Sequence, residues 1–356
     1  MSSSFGTKIK IQIFGQSHSE MLGVVIDGLP AGHIVDLDYI SAFLDRRRGG
    51  KNTYSTKRTE KDQPEIVSGI ISGKTCGAPL CVLFRNEDVR EADYEQHSFI
   101  PRPSHADYNA YIKYSGANDI HGGGHFSGRL TLPLCFAGAI CKQLLEEIGI
   151  YIGAHIWQIA DIRDIPYDPV NVNFRDLNHA GFPVNNSVVG ERMKEKIIST
   201  AEAGDSVGGI IECATIGLPQ GVGEPMFDGL ENRISQVIFS VPGVRGIEFG
   251  EGFTSADMTG SEHNDEYYAK NGRVKHKTNH AGGILGGIST GMPLIFRVAI
   301  KPTPSIHKEQ NSVNLKTMQN VKLQIQGRHD PCIVPRAVPC IEAATAIAIV
   351  DFLEVK

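Results

Sequence analysis

Residues 15–32 read GQSHSEMLGVVIDGLPAG, and residues 204–221 read GDSVGGIIECATIGLPQG. Both segments begin with Gly-x-Ser and end with Gly-Leu-Pro-x-Gly at the same spacing, so that Gly28 and Gly217 take equivalent positions. In each segment the pattern predicts an apolar strand between the two motifs and a helix after the second. Several matches in one register indicate an internal duplication, with a chance coincidence of turn residues as the alternative.

A duplication of this kind favours one body over two unrelated domains. The chain has 356 residues, enough for one large domain or two. We expect residues 1–356 to form a single α+β domain with a pseudo-two-fold axis, whose related halves include about residues 8–50 and 204–240. Apolar spacing predicts further helices at 130–148, 188–203 and 342–353. Residues 151–186 are predicted as irregular strands and loops at the edge of the core, and residues 252–278 as a mobile loop or lid.

Composition excludes several classes of protein. Charged residues make up 21% of the chain and its formal charge is −5, which argues against general nucleic-acid binding. No signal peptide and no run of 18 apolar residues occur, so neither secretion nor a membrane span is expected. The seven cysteines form no CxxC pair, which indicates a reduced, cytoplasmic compartment and no metal site.

The chemistry is concentrated in residues 102–129, RPSHADYNAYIKYSGANDIHGGGHFSGR. Three consecutive glycines give up backbone order and let bare N–H groups approach an anion. Ser127 and Arg129 add donors suited to phosphate, and the helix predicted next would point its N-terminus at the loop. His105 lies in the same stretch, in a proline-bracketed turn before an acid. A flexible surface loop is the alternative reading of the glycine run alone.

Other motifs point the same way. Ser17 and His18 follow the first strand, where a sheet ends. Residues 46–48 are three arginines, more than a helix C-terminus requires, so an anionic ligand or a solvated basic face must account for the surplus. No P-loop, Rossmann fingerprint, GxSxG elbow or HExxH is present. The residues alone therefore predict an enzyme that handles a multiply anionic small molecule with histidine acid–base chemistry.

Seven motifs, in order and across nearly the whole chain, resemble the chorismate synthase family. They are GQSHS (15–19), RRRGG (46–50), RPSHADY (102–108), GGGHFSGR (122–129), NHAGGILGGIS (279–289), KPTPS (301–305) and GRHDPC with PRAVP (327–339). The resemblance implies a single β-α-β sandwich and a homotetramer. It implies the 1,4-anti elimination of phosphate from 5-enolpyruvylshikimate 3-phosphate, which gives chorismate, in the last common step of the shikimate pathway to aromatic amino acids. It also implies a requirement for reduced FMN, with electrons from NADPH or from an external flavin reductase.

The resemblance also assigns roles to residues of this sequence. His18 would protonate the leaving phosphate, His105 would hydrogen-bond the flavin, and Asp330 would help take up the C6 proton through flavin N5. The substrate, with one phosphate and two carboxylates, would be held by Ser17, Arg47, Arg48, Lys51, Arg129 and Arg336, with further contacts from Ser127 and Arg328. The flavin site would include His125, Phe126, Ser127, Pro242, Gly243, Gly286, Lys301, Pro302, Thr303, Pro304, Ser305 and Arg328.

The sequence departs from the family pattern at a few positions. Gln16 stands where the family usually has Glu, and Ser19 stands where it usually has Gly. His125 and Phe126 lie in a segment whose sequence is different in many members. A further family arginine near Thr53 is absent here, and Lys51 could substitute for it. Two alternatives follow: an inactive flavin- or phosphate-binding homologue, and a different phosphate-eliminating or isomerising enzyme that needs no flavin.

Overall fold

A computed structural model describes residues 3–50, 52, 54–56, 60–87, 99–174, 181–325, 327 and 329–353. The first half of the chain forms an antiparallel sheet of five strands, in the order β1-β2-β3-β7-β4, and a small β5-β6 hairpin. The strands are β1 (Ser4–Phe5), β2 (Lys10–Gly15), β3 (Met21–Asp27), β4 (Glu65–Ser68), β5 (Ile70–Ile71), β6 (Lys74–Thr75) and β7 (Leu80–Arg85). The predicted strands at the first repeat are confirmed.

The second half forms another five-stranded antiparallel sheet, in the order β11-β16-β10-β8-β9. Three hairpins, β12-β13, β14-β15 and β17-β18, stand beside it. The strands are β8 (Tyr151–Ile159), β9 (Ile162–Arg163), β10 (Gly209–Ile216), β11 (Val244–Phe249), β12 (Tyr267–Lys270), β13 (Arg273–His276), β14 (Ile284–Leu285), β15 (Ile288–Ser289), β16 (Leu294–Ile300), β17 (Gln310–Asn314) and β18 (Gln319–Leu323).

The helices are α1 (Leu37–Arg47), α2 (Asp107–Lys113), α3 (Thr131–Glu147), α4 (Ser187–Glu202), α5 (Leu230–Ile238), α6 (Gly260–His263) and α7 (Val334–Val350). The Asp36 side chain accepts the Tyr39 amide and caps α1, whereas the sequence allowed either Asp36 or Asp38 as the cap. The expected mixture of helix and sheet is confirmed. None of the described helices combines the length and apolar character needed to cross a membrane.

Helices α3 and α7 form the centre of the molecule. Helix α3 contacts β3 and α7, while α7 contacts β8 and β10, so the two helices lie between the two sheets. Both are buried on almost every face, which explains why their sequences are apolar all round. The axes approach closely because Gly138 has no side chain: a Cβ there would lie 2.3 Å from the Ala343 Cβ. This layer joins the two halves into one hydrophobic core.

Three predictions of local structure are wrong. Residues 252–278 are not an open loop: they contain a 3₁₀ turn, α6 with a capping box at Thr259, and the β12-β13 hairpin, whose fully exposed strand β12 lacks an apolar face to predict it by. Helix α7 begins at Val334, not Glu342, and continues through Pro339. Strands were expected within residues 151–186, but residues 151–159 form one long regular strand whose Ile152, Ala154 and Ile156 are buried in the core and not at its edge.

Candidate active site

A cavity of about 590 Å³ opens where the two halves meet, a size typical of small-molecule sites. Its walls come from the turn after β2, the end of α1, the loops before α2 and α3, the turn after β16 and the start of α7. Most residues predicted for the site line it: Ser17, Arg47, Arg48, His105, His125, Phe126, Ser127, Arg129, Pro242, Gly243, Lys301, Pro302, Thr303, Pro304, Ser305, Asp330 and Arg336.

The glycine run lies between two imidazoles. A Cβ on Gly122 would lie 2.2 Å from Cε1 and 2.4 Å from Nδ1 of His18, and one on Gly123 would lie 3.1 Å from Cε1 of His105. Both glycines and Gly124 have left-handed φ angles of 63°, 113° and 54°, which residues with side chains seldom adopt. Glycine is therefore required in this run for two reasons: the backbone is left-handed, and the two imidazole rings lie too close for side chains.

The first imidazole is held by backbone and amide contacts at the end of the first sheet. The Ser17 amide donates to the Gly124 carbonyl at 3.0 Å, which ties the turn to the glycine run. The Ser19 hydroxyl closes the turn by bonding to the carbonyls of Gln16 and Met21. Asn86 then donates to the Ser19 carbonyl at 2.6 Å. Ser19 departs from the family pattern, and its hydroxyl stabilises this turn.

The second imidazole is oriented by an acid and an arginine. Nδ1 of His105 lies 2.5 Å from Oδ1 of Asp107, whose carboxylate also receives two bonds from the Arg102 guanidinium at 2.7 and 2.8 Å. Burial alone would raise the pKa of Asp107, but the hydrogen bonds from Arg102 and His105 outweigh it and hold that pKa well below its usual range. With Nδ1 engaged, Nε2 is the ring nitrogen near Gly123 that remains for a ligand.

Two of the predicted arginines share one carboxylate. Nη2 of Arg47 donates to Oδ2 of Asp62 at 2.9 Å, and Nη1 of Arg129 donates to Oδ1 of the same residue. All three side chains are buried. Burial would raise the pKa of Asp62, yet the two guanidinium charges lower it, so the carboxylate stays ionised. Arg46 instead turns into the interior and pairs bidentately with Glu342, which explains one of the three arginines without a ligand.

Asp330 also lines the cavity, next to Arg336. Its carboxylate accepts the Thr56 amide at 2.8 Å and a bond from Nη1 of Arg336. Nε of Arg336 donates to the Arg47 carbonyl at 2.9 Å. In this structure Arg336 therefore fixes Asp330 and the end of α1, and its predicted contact with substrate stays a prediction.

The turn after β16 connects the second sheet to the histidine loop. Nζ of Lys301 donates to the Ser104 carbonyl at 2.5 Å, and Nη1 of Arg102 reaches the Ser305 hydroxyl at 3.4 Å. Burial and the neighbouring Arg245 lower the pKa of Lys301. Gly243, whose φ is 96°, accepts the Lys301 amide through its carbonyl. Cations, hydroxyls and open backbone thus line this end of the cavity, a donor set that fits a phosphate-bearing cofactor such as FMN.

Four predicted site residues lie elsewhere or outside the described chain. His18 contacts Gly122 but is not among the residues that line the cavity, and neither is Gly286. Lys51 and Arg328 fall outside the described residues. Paired glycines in residues 279–291 could leave the backbone open to a ligand. Instead Gly282, Gly283 and Gly287 pack against neighbouring backbone, and only Gly286 among these four faces open space.

Several residues of the site were missed by the sequence reasoning. Arg129 is contacted by three residues from the segment 60–87, which are Glu60, Asp62 and Asn86. Nε of Arg129 donates to Asn86 Oδ1 at 2.8 Å. Asp107 was noted only as a neighbour of His105. No local motif marks the first three, because their partners are distant in sequence. The surplus of buried cations was the one signal that acids had to be nearby.

Comparisons with known proteins agree with one another. The family model described as chorismate synthase matches residues 9–353. A chorismate synthase of Korarchaeum cryptofilum is 44% identical over 350 residues, covering 98% of this chain and 96% of the relative. One of Lancefieldella parvula is 45% identical over 367 aligned positions, covering 99% and 96%. A crystal structure of chorismate synthase is similar with a TM-score of 0.74 at 26% identity, covering 98% of this chain and 92% of that one.

Proposed function

The chain belongs to the chorismate synthase family, and from that premise we propose that it eliminates phosphate from 5-enolpyruvylshikimate 3-phosphate to give chorismate. The enzyme is then a carbon–oxygen lyase acting on a phosphate ester. Two imidazoles, His18 and His105, lie against the two neighbouring glycines of one run beside an arginine-lined cavity, and this arrangement carries the proposal.

Substrate binding is the first task of the cavity. The phosphate and two carboxylates need several cations, and Arg47, Arg48, Arg129 and Arg336 line the same walls. Guanidinium forks suit both kinds of anion because they donate in parallel pairs. Ser17, which is buried and faces the same space, adds a hydroxyl. Lys51 and Arg328 extend the set by resemblance to the family.

Proton transfer is the second task. His18 protonates the leaving phosphate oxygen, which lowers the cost of its departure. His105 presents Nε2 to the ligand, since Nδ1 donates to Asp107, and Nε2 donates in turn when the ring is protonated. Asp330 helps to remove the C6 proton, and the adjacent Arg336 guanidinium holds its carboxylate in position for that role.

A flavin site completes the proposal. Reduced FMN, when bound, supplies electron density to the ring as phosphate leaves and a basic nitrogen near the departing proton. Lys301, Thr303 and Ser305 would hold its phosphate tail, and the backbone at Pro242 and Gly243 together with His125, Phe126 and Ser127 would border its ring. The remaining members of the set, Pro302, Pro304, Gly286 and Arg328, are carried by the family resemblance.

The test is anaerobic phosphate release from 5-enolpyruvylshikimate 3-phosphate. We expect release with photoreduced FMN and none with oxidised FMN. Equal rates with the two forms, or turnover without flavin, would assign the protein to another class of eliminating enzyme. Tight flavin binding with no release in either form would identify an inactive homologue. Repeating the reduced-FMN assay from oxidised flavin plus NADPH decides whether the chain reduces its own cofactor or depends on an external reductase.

Assembly and compartment follow from the same family membership. We infer a homotetramer in the cytoplasm, where the seven free cysteines would stay reduced. Light scattering of the purified protein tests the assembly, and a monomer mass at micromolar concentration would contradict it.

We further propose that residues 1–356 form one β-α-β sandwich domain derived from an internal duplication. The strand order β2-β3-β7-β4 in the first sheet parallels β8-β10-β16-β11 in the second, and α3 follows the first set as α7 follows the second. The quoted repeats then correspond to β3 with α1 and β10 with α5, although Gly204 follows α4 where Gly15 ends a strand. Superposing β3 and α1 on β10 and α5 should also superpose α3 on α7. A large residual angle between those helices would count against a duplication.

A further inference from the structure

The buried carboxylate of Asp62 lies between the two guanidiniums that the proposed function gives to the substrate. Arg47 and Arg129 each donate one arm to a different oxygen of this acid. Only 1% of the Asp62 side chain is exposed, and 5% of each arginine, so water cannot screen the three charges. The acid is thus a permanent counter-ion built into the anion site.

The backbone at this acid is held in an unusual conformation. The φ angle of Asp62 is 52°, in the left-handed region that costs a non-glycine residue free energy unless the surroundings impose it. A second acid, Glu60, lies 3.9 Å from Nη2 of Arg129 and is itself fixed by the Glu87 amide. Residues 60–62 therefore direct two negative charges into a cluster of cations.

The arginine pair still has capacity for a ligand. Nε of Arg47 is buried and has no acceptor among the residues that the structure describes, and Nη1 reaches Thr131 only at 3.4 Å. A buried guanidinium nitrogen without an acceptor is costly, which points to an incoming anion or water as its partner. Arg47 lines the cavity, so such a partner can reach it from there.

We propose that Asp62 is a specificity-determining residue that keeps the affinity of the Arg47–Arg129 pair for a single small anion low. Inorganic phosphate gains little from a pair whose charge is already half neutralised. A ligand with three acidic groups compensates through Arg48, Arg336 and the other cations. The inference rests on the proposed function for the identity of the anion, and it explains how phosphate, once released, leaves a site built from arginines.

The test is the dissociation constant of inorganic phosphate, measured by calorimetry on the full-length protein without flavin or substrate. Removing one buried charge about 5 Å from the anion predicts that Asp62→Asn binds phosphate about tenfold to a hundredfold more tightly than the wild type. Asp62→Glu keeps the charge and should stay within a few-fold of the wild type. Turnover with Asp62→Asn should become sensitive to added phosphate as well.

Unchanged or weaker phosphate binding by Asp62→Asn would overturn the inference and leave Asp62 as a structural support of the two arginines. If that variant does not fold, Glu60→Gln carries the same test at the same guanidinium. It should bind phosphate several-fold more tightly, and no gain would again overturn the inference. Because the readout needs no turnover, a failed elimination assay with a positive phosphate result would reject the proposed function alone.

Discussion

At the scale of single residues, Gly122 and Gly123 determine how close the two imidazoles can be. Gly122 has no room for a side chain on the ring side and Gly123 has little, and the left-handed backbone would strain a side chain at either position. The imidazole positions are therefore set by residues that carry no functional group. A glycine run is visible in the sequence, but the two partners it separates are visible only in the fold.

Gly122→Ala should reduce kcat/KM for phosphate release by about a hundredfold, because a Cβ 2.2 Å from the His18 ring must displace it. Gly32→Ala is the matched control. Gly32 has a similar left-handed φ of 93°, but a Cβ there would meet no atom within 4 Å. The control should lose some stability and keep its activity; equal losses of activity in both variants would mean that backbone strain, and not the His18 contact, is responsible.

Asp107→Asn tests whether the acid orients His105. An amide can present its NH₂ to Nδ1 and favour the wrong tautomer, so we expect kcat to fall roughly tenfold to a hundredfold, with an altered pH profile. Asp119→Asn is the control, since Asp119 contacts Nδ1 of His121 at 2.8 Å at the same sequence spacing in the reverse order, and neither residue lines the cavity. A normal pH–rate profile in Asp107→Asn would remove the acid from the mechanism.

At the scale of elements, the long helices follow from apolar spacing and the short hairpins do not. The bounds predicted for α3 and α4 are close to the observed ones because each helix has a cap or a sustained apolar pattern. The start of α7 was missed, and the part of the helix that was not predicted contains two prolines, Pro335 and Pro339. Pro335 sits in the first turn, where no amide is needed, and burial on both sides of the helix offsets the bond lost at Pro339.

Gly138→Ala should lower the free energy of unfolding by about 1–3 kcal/mol, although alanine is the better helix former, because the added methyl would overlap Ala343. Urea unfolding followed by circular dichroism measures the change. Gly260→Ala, in the open first turn of α6, should be neutral or slightly stabilising. A stabilised Gly138→Ala protein would show that α3 and α7 can move apart at little cost.

At the scale of the whole molecule, a single acid joins the two ends of the described chain. Asp351, just after α7, accepts the amides of Thr7, Lys8 and Ile9 and a bond from Arg233. Burial would raise its pKa, but the three amide donors lower it. No local pattern predicts this closure, since the three amides are more than 340 positions away from Asp351 in the sequence.

Asp351→Asn should lower the free energy of unfolding at pH 7 by about 1.5–3 kcal/mol, the usual contribution of hydrogen bonds to a charged group. Because the folded pKa is lowered, this stabilisation is present above the unfolded pKa of about 3.9 and is lost as pH falls through the folded value. The difference in the free energy of unfolding between the wild type and Asp351→Asn should therefore become smaller at acid pH. Asp27 only accepts an exposed hydrogen bond from the neighbouring Gly28 amide, so Asp27→Asn should have almost the same free energy of unfolding as the wild type at any pH. A difference for Asp351→Asn that stays constant down to pH 2 would contradict the ionic account.

The general architecture and most of the cavity wall could be predicted from sequence, because the motifs that resemble the family carry both. The acids that pair with the arginines could not be predicted, since Asp62 and Glu60 contact side chains that are distant from them in the sequence. The same limit applies to the second sheet, where Glu212 pairs with His155 and Arg297 from two neighbouring strands. Long-range pairing of buried charges is set by the fold and leaves no periodic trace in the sequence.

A crystal structure of the protein with 5-enolpyruvylshikimate 3-phosphate and oxidised FMN tests the central claim most directly. The account predicts the phosphate or a carboxylate within hydrogen-bonding distance of the Arg47 and Arg129 guanidiniums, with the rings of His18 and His105 beside the substrate and the flavin. A ligand bound elsewhere, out of hydrogen-bonding reach of both guanidiniums and with neither imidazole in contact, would contradict it.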